Sequence, residues 1–349
     1  MVIIGIYFTL LLEALIGFGS PPMIVVKSLA DIGFNPVTVS TISLLSDSFS
    51  SFGAFATPIE IGMKDLEKNF LKYASFIFSI LIFVVFIVAY FLFKGDKTIS
   101  IDIFISLIAF SILFYFLSSI GLHAFSLALS SSIPILILVK NEKNKLLLFF
   151  RIFYPFFIVI LIYLFLKFLN IGILNRILNF FGIGIVALFV LLFFLLKSRN
   201  RKLNFLNFSF KRSIFLFINV FFLSFISFSI SPQLSEFLSV NLSFLGEYYL
   251  FLSPLIGIFG AFIFGSATLS NLTFAEMQFM LAEKLNLDVE KVLTLQAVGA
   301  GLGNSISLYN ILAIVSLVDL KDKWFEVFKI NALIVVVISF IISLIFFLI

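Results

Sequence analysis

Two short polar interruptions break an otherwise apolar chain, one near each end. Residues 17–22 read Gly-Phe-Gly-Ser-Pro-Pro and residues 264–268 read Phe-Gly-Ser-Ala-Thr, so both contain a Phe-Gly-Ser triplet. Backbone that leaves the helical conformation at membrane depth needs polar partners, so such breaks persist only inside protein or beside a watery cavity. Two breaks in corresponding positions indicate the substrate site of a transporter.

The apolar stretches between these breaks place the chain in a membrane. Hydrophobic residues make up 62% and charged residues 12% of the 349 positions, whereas about a quarter of the residues are charged in a soluble domain. Apolar runs recur at 70–93, 146–169, 183–196, 214–230 and 330–349. Because a helical span needs roughly 20 apolar residues, we expect an all-α polytopic membrane protein with about ten spanning or partly spanning segments.

The two interruptions begin units that have the same order of parts. Each break is followed by a short helix, a polar turn, and an apolar helix that ends in a second glycine-rich stretch, at 52–54 or 299–305. We interpret this order as an internal repeat, and inverted repeats are usual where broken helices form a site. Chance similarity is the alternative. One membrane domain would then contain a first broken-helix unit (1–69), scaffold helices (70–246) and a second broken-helix unit (247–349).

Basic residues concentrate in two segments of the middle region, 140–151 and 197–212. Two predicted helices separate these segments, so both loops lie on one side of the membrane. The positive-inside rule makes that side cytoplasmic, which predicts a multi-pass protein of the cell membrane. The net charge of +5 then reflects the orientation of the protein in the membrane, so no nucleic-acid partner is expected.

Motifs for covalent chemistry are missing from the sequence. It contains no cysteine, no paired-histidine metal motif and no nucleotide-binding Gly-Lys-Ser/Thr loop. We therefore expect neither enzyme activity nor a metal nor a cofactor. The expected partners are a small organic anion, a coupling ion and the lipid bilayer, and a homo-oligomer is compatible with the sequence.

The breaks carry the donors that a small carboxylate needs. Free N–H groups at the start of a half-helix, with about half an elementary charge of helix dipole, bind anions without a cationic side chain. The candidate substrate-binding residues in and after the breaks are Gly19, Ser20, Gly265, Ser266, Thr268, Ser270 and Asn271. The alternative is close helix packing through small residues, which membrane helices also favour.

Two carboxylates, Glu13 and Asp47, lie in apolar segments beside the first break. An aspartate at the centre of a membrane helix costs about 2.5–3.5 kcal/mol on insertion scales, so such residues usually serve a function. Either group could take up a proton together with an anionic substrate, which is the physical basis of symport. Alternatively, Glu13 hydrogen-bonds the break without titrating, and Asp47 binds sodium together with Ser46 and Ser48.

His123 is the only histidine of the chain and follows Gly121 in an apolar segment. A histidine within a membrane could relay protons. A neutral, hydrogen-bonded packing role is the interpretation we favour.

Three segments at the two ends form a spaced set of motifs. Residues 13–21 read Glu-Ala-Leu-Ile-Gly-Phe-Gly-Ser-Pro, residues 265–271 read Gly-Ser-Ala-Thr-Leu-Ser-Asn, and residues 303–310 read Gly-Asn-Ser-Ile-Ser-Leu-Tyr-Asn. They resemble, in order, the motifs Glu-Gly-Ala-Ala-Gly-Phe-Gly-Thr-Pro, Gly-Ser-Asn-Thr-Ser-Ser-Asn and Gly-Lys-Met-Ile-Ser-Pro-Gln-Asn of the lactate permease family of proton-coupled lactate and glycolate carriers. The middle of the chain matches that family mainly in hydropathy.

The resemblance implies a secondary active transporter that moves a small monocarboxylate, such as lactate or glycolate, by proton symport. It favours Glu13 as the proton carrier, and it adds Asn304, Ser307 and Asn310 to the substrate-binding candidates. Sodium is a second candidate for the coupling ion. The alternative functions are a passive anion channel or exporter, or a truncated membrane subunit that transports nothing.

The chain departs from the family pattern in three places. Asn304 stands where the family has a lysine and Ala267 where it has an asparagine, which removes one cation and one amide from the expected site. Glu13 lies close to the first residue, whereas family members carry several helices before this motif. We therefore expect either a form that is shortened at the N-terminus or a sequence that begins after the true start of the protein.

Overall fold

The computed structural model describes residues 2–17, 20–63, 69–92, 101–140, 142–168 and 240–348, with scattered residues between 218 and 238. Regular structure in these ranges is helical, and no strand occurs among them. The chain divides into two compact units. One consists of Met1–Leu138 with Val220–Ile349 and the other of Val139–Asn219.

The first unit begins with a helix, a break and a second helix. Helix α1 (Val2–Leu15) ends before Gly17, and α2 (Ser20–Asp31) follows the interruption. A turn leads into α3 (Pro36–Ser46), which starts with a proline and is capped by the side chain of Asn35. The predicted break, short helix and polar turn are confirmed.

The helix after this turn is shorter than the sequence predicts. We expected one apolar helix that runs to the glycine stretch at 52–54. Instead α3 stops at Ser46, a 3-10 helix covers Asp47–Phe52, and α4 (Gly53–Gly62) follows. Serine hydroxyls in this segment compete for helical carbonyls, since Ser46 Oγ donates to the carbonyl of Ile42 at 2.9 Å. Asp47 therefore lies at a helix end.

Helix α4 contains a left-handed turn near its start. Ala54, Phe55 and Ala56 have φ values of 43°, 58° and 58°. This conformation costs roughly 1–2 kcal/mol for each residue that carries a Cβ atom. The turn lies against the first break, because a Cβ atom added to Gly17 would come within 2.8 Å of the Ala54 side chain.

Three further helices complete the N-terminal part: α5 (Phe70–Leu92), α6 (Ile101–Ser119) and α7 (His123–Val139). Buried phenylalanines of α5 and α6 hold the 3-10 helix in place. Phe52 meets Phe114 edge-to-face at a centroid distance of 4.9 Å, and further buried rings of the cluster are Phe49, Phe78 and Phe110. The position of Asp47 is therefore fixed by aromatic packing.

The C-terminal part of the first unit repeats the order helix, break, helix, turn, helix, break, helix. Its helices, numbered on from α8 of the second unit, are α9 (Tyr249–Phe264), α10 (Ala267–Lys284), α11 (Val289–Asn304), α12 (Leu308–Leu317) and α13 (Trp324–Leu348). Short 3-10 helices cover Ser243–Tyr248 and Lys321–Lys323. An inverted relation between the two sets of helices stays a prediction, as does the division of the chain at residues 69 and 246.

Glycines on two sides of α11 allow backbone-to-backbone packing. A Cβ atom on Gly299 would clash with the Pro254 carbonyl of α9, and one on Gly303 would clash with the Ile258 carbonyl. On another side, a Cβ atom on Gly301 would clash with the carbonyl of Ser48 in the 3-10 helix. Small residues at such spacing let membrane helices approach closely, so α11 joins the N-terminal and C-terminal sets of helices.

Five of the described helical stretches are long and apolar enough to cross a membrane: Phe70–Leu92, Ile101–Ser119, Phe244–Phe264, Val289–Leu317 and Trp324–Leu348. The chain is therefore a helical, multi-pass membrane protein. The larger number expected from the sequence, about ten, stays a prediction.

In the second unit the structure describes α8 (Lys143–Phe168). Because this helix begins at Lys143, most of the predicted basic loop 140–151 is helical, which corrects the expectation of a loop. The predicted basic loop 197–212 and the apolar run 183–196 lie outside the described residues.

Candidate functional site

A narrow cavity lies in the first unit, where the breaks of its N-terminal and C-terminal parts meet. It is lined by Glu13, Gly17, Ser50, Gly53, Ala54, Pro58, Gly265, Ser266, Ala267, Thr268 and Asn304. The enclosed space is no larger than a water molecule, so a larger ligand enters only when the walls move apart. Gly17, beside the first Phe-Gly-Ser triplet, and Gly265 and Ser266 of the second, far apart in the sequence, thus contribute to one site.

The second break presents a helix N-terminus to the cavity. Gly265 ends α9 with a left-handed φ of 65°, and the Ser266 side chain caps α10 by accepting a hydrogen bond from the N–H of Leu269 at 3.4 Å. Ser266, Ala267 and Thr268 all line the cavity. The first N–H groups of a helix have no partner within that helix, and the helix dipole makes this end favourable for an anion.

The first break contributes less than the sequence predicts. Ser20 begins α2 and its hydroxyl donates to the Gly17 carbonyl at 3.0 Å. Gly17 itself lines the cavity, whereas Ser20 is not among the lining residues. Gly19, another predicted substrate-binding residue, lies outside the described residues.

The two predicted coupling residues, Glu13 and Asp47, face each other closely enough for a hydrogen bond between their side chains. Both are buried, with exposed fractions of 1% and 0%. Gly53 makes room for Glu13, because a Cβ atom at Gly53 would clash with Oε1. Among the described residues, no basic side chain forms a salt bridge with either carboxyl group.

Asn304 joins Asp47 to a second asparagine. Its Nδ2 donates to Asp47 Oδ2 at 2.6 Å, and its Oδ1 accepts from Asn310 Nδ2 at 2.9 Å. Asn310 Nδ2 also lies 3.1 Å from the Asn304 carbonyl. Ser307 caps α12 at the same break, is fully buried, and its hydroxyl has no hydrogen-bond partner within the described part of the chain.

Ser270 and Asn271 point away from the cavity lining. Ser270 Oγ donates to the Gly257 carbonyl at 2.8 Å. Asn271 Nδ2 donates to the Pro58 carbonyl at 3.4 Å, and its Oδ1 accepts from Gln296 Nε2 at 3.3 Å. Their polar atoms are therefore engaged by protein, and Asn271 links α10 to α4 behind the cavity wall.

This link extends into a buried hydrogen-bond network that the sequence analysis missed. Gln278 Nε2 donates to Gln296 Oε1 at 2.6 Å and to the Ser253 carbonyl at 2.9 Å. Tyr249 donates to Gln278 Oε1 at 2.9 Å. The sequence offered one signal for this network, because Gln278 and Gln296 lie within predicted helices and amide groups that become buried require hydrogen-bond partners. The cavity-lining residues Gly17, Ser50, Gly53, Ala54, Pro58 and Ala267 were also missed.

His123 lies outside the cavity lining and contacts the carboxylate of Glu60 through Nε2. Glu60 belongs to α4, and a second contact between the same helices joins Phe55 to Phe125 at a centroid distance of 6.2 Å. The histidine therefore attaches α7 to α4, as expected for a hydrogen-bonded packing role.

Interrupted helices and long apolar spans define a multi-pass membrane protein, and a cavity at the interruptions is the arrangement in which transporters with broken helices bind their substrates. Comparison with known families makes this specific. The chain belongs to the L-lactate permease family, whose model matches residues 1–148 and 173–349. This is a family of transporters rather than enzymes.

One curated relative is described as "Putative L-lactate permease" and comes from Haemophilus influenzae. The two sequences are 37% identical over 78 residues, which make up 22% of this chain and 15% of the relative. The aligned part therefore spans about a seventh of that relative's length. No solved structure matches the chain.

Proposed function

We propose that this protein is a secondary active transporter that carries a small monocarboxylate, such as lactate or glycolate, across the cell membrane with protons. The observation that supports this function most directly is the N-terminus of α10, which opens into a small cavity beside the buried Glu13 carboxyl group. Membership of the L-lactate permease family supports the same substrate class.

The substrate carboxylate binds the start of α10 in this proposal. The N–H groups of Ala267 and Thr268 and the hydroxyl groups of Ser266 and Thr268 are the donors nearest to the cavity. None of the described lining residues is a lysine or arginine, so neutral donors and the helix dipole supply the attraction. Asn304 is the lining amide available to a 2-hydroxyl group of the substrate.

Glu13 is the proton carrier in this proposal. A carboxylate substrate about 4 Å from an ionised Glu13 would be repelled by roughly 4 kcal/mol at an effective dielectric constant of 20. Protonation of Glu13 removes this repulsion, so substrate and proton enter the cavity together. Glu13 lines the cavity and therefore meets the substrate, whereas Asp47 is not a lining residue and is held by the hydrogen bond from Asn304.

We further propose that the basic segments 140–151 and 197–212 face the cytoplasm and that transport is inward. The ten-span architecture, the inverted repeat and the remaining binding candidates Gly19, Ser20, Ser270, Asn271, Ser307 and Asn310 belong to the same proposal. Asn271 and Ser270 support the cavity wall from behind rather than from within it.

Uptake by proteoliposomes tests the proposal. Purified protein is reconstituted, an inward proton gradient is imposed, and accumulation of labelled lactate, glycolate and propionate is measured. We expect gradient-driven uptake that collapses when the gradient is dissipated, and loss of the gradient dependence in Glu13→Gln. The matched control is Glu326→Gln, an exposed acid in the first turn of α13.

Two results would contradict this function. Absence of gradient-driven uptake for every acid of the panel would reject the substrate class. Equal uptake by Glu13→Gln and by the unmodified protein, with and without a gradient, would instead indicate a passive anion pathway.

A further inference from the structure

Asn304 is surrounded by buried oxygen atoms of side chains that lie outside the cavity lining. Asp47 Oδ1 and Asn310 Oδ1 are both fully buried and lack a hydrogen-bond partner within the described residues. The other polar atom of each side chain is hydrogen-bonded to the Asn304 side chain. Asp47 Oδ2 accepts from it at 2.6 Å, and Asn310 Nδ2 donates to it at 2.9 Å. Both oxygens therefore lie next to the Asn304 side chain.

Ser307 adds a third oxygen of the same kind. Its N–H donates to the Asn304 carbonyl at 3.3 Å, which places the residue at the same break. Its hydroxyl is buried and has no partner in the part of the chain that the structure describes. Buried polar atoms without partners are rare in proteins, so three of them beside one residue point to a ligand.

Two helix C-termini meet at this position. Helix α3 ends at Ser46 with Asp47 as its C-cap, and α11 ends at Asn304. The C-terminus of a helix carries a partial negative charge of about half an elementary charge. Helix ends of this kind, together with unwound backbone, coordinate cations in transporters.

The charges and atom types specify the class of ligand. Asp47 brings a negative charge that no described lysine, arginine or histidine balances by a salt bridge. The atoms without partners on these three side chains, within the described residues, are all oxygen, which suits a hard cation. With the neighbouring Glu13 protonated, Asp47 contributes one negative charge, so a monovalent cation balances the site.

We propose that Asp47, Ser307 and Asn310 bind a sodium ion beside Asn304. Of the two partners that the sequence suggested for Asp47, the Ser46 hydroxyl is engaged by the Ile42 carbonyl, whereas the buried Ser48 hydroxyl has no partner among the described residues. Only the role of this ion in coupling rests on the proposed transport function. The binding itself is measurable without any substrate.

Thermal unfolding of the purified full-length protein in detergent tests the site. Sodium chloride replaces choline chloride at constant ionic strength, with potassium chloride as a comparison. A ligand that binds only the folded state stabilises it by an amount that grows with the logarithm of the ligand concentration once this exceeds the dissociation constant. We expect the unfolding temperature to rise with the sodium concentration and to stay unchanged with choline.

Three variants make the test specific. Asp47→Asn should lose the sodium-dependent shift, and Asn310→Ala should weaken the apparent sodium affinity by at least about tenfold. Asp31→Asn is the matched control, since Asp31 is exposed and pairs with Lys27 at 2.8 Å far from the site. It should keep the full sodium response.

A protein that does not respond to sodium would overturn the proposal, as would an Asp47→Asn variant that responds normally. If Asp47→Asn does not fold, an Asn310→Ala variant with an unchanged apparent sodium affinity overturns the proposal. A sodium response without uptake of any carboxylate would retain the site and reject the transport function. Proton-driven uptake by a protein that ignores sodium would reject the site and retain the function.

Discussion

Asn304 Nδ2 donates a 2.6 Å hydrogen bond to Asp47 Oδ2 across a sequence separation of 257 residues. Both residues lie at the ends of broken helices, Asp47 after α3 and Asn304 at the end of α11. The bond therefore ties the N-terminal and C-terminal sets of helices together at the edge of the cavity.

A double-mutant cycle should detect this bond. For Asp47→Asn and Asn304→Ala we expect a coupling energy of about 1.5–3 kcal/mol, the value typical of a hydrogen bond to a charged group. Unfolding of each variant in detergent measures it. The control cycle combines Asp47→Asn with Asn331→Ala, because Asn331 bonds to the Ser305 carbonyl instead. The control pair should be additive within about 0.5 kcal/mol, and equal coupling in both cycles would contradict a direct bond.

Gly53→Ala should impair uptake by displacing Glu13. The added methyl group would clash with Glu13 Oε1, and overpacking of this kind costs about 1–3 kcal/mol. We expect reduced proton-driven uptake, measured with the proteoliposome assay, and a lower unfolding temperature. Gly5→Ala is the control, since its new Cβ atom would meet the flexible end of Leu29. Wild-type uptake by Gly53→Ala would show that the position of Glu13 is unimportant.

Replacement of Ala54 by glycine should stabilise the protein. Ala54 has a φ of 43°, and glycine adopts such values without the cost of a Cβ atom, so we expect a gain of about 1 kcal/mol. The change is measured by thermal or denaturant unfolding. Ala74→Gly, in the middle of α5, should have the opposite sign and cost about 0.5–1 kcal/mol. A loss of stability in both variants would contradict the left-handed turn.

Gln296→Ala should destabilise the cavity wall. The substitution removes the acceptor of Gln278 Nε2 and the donor to Asn271 Oδ1, and each buried polar group left unpaired costs about 1–3 kcal/mol. Unfolding temperature is the measurement. Gln233→Ala, at an exposed position, serves as the control and should change stability little. A neutral Gln296→Ala would mean that the network is dispensable.

Local sequence patterns predicted the breaks and the helices next to them. The Phe-Gly-Ser triplets and the Asn35 cap act within a few residues, so the chain order of α1–α3 could be derived without the structure. The 3-10 helix that follows α3 could not, because it depends on the packing of Phe49 and Phe52 against α5 and α6. Nothing in a sequence with 52 phenylalanines marks those two as buried.

The candidate site, like the fold, was predicted only where local sequence signals existed. Thr268 lines the cavity, and Ser270 lies two positions further along the same helix. Because successive residues of an α-helix are rotated by about 100°, Ser270 faces roughly the opposite way, so helical periodicity could have separated the two. The pairing of Asp47 with Asn304 had no local signal, since it arises only when distant helix ends pack together.

The glycine contacts of α11 decide which wall of the cavity is able to move. Helices that touch through backbone atoms have no side chains between them to repack, so a sliding motion would meet carbonyl oxygens directly. Gly299 and Gly303 pack against α9 and Gly301 packs against Ser48, so α11 is held in place on two sides. Movement that opens the cavity is therefore expected in the lining elements other than α11, among them the left-handed turn at Ala54.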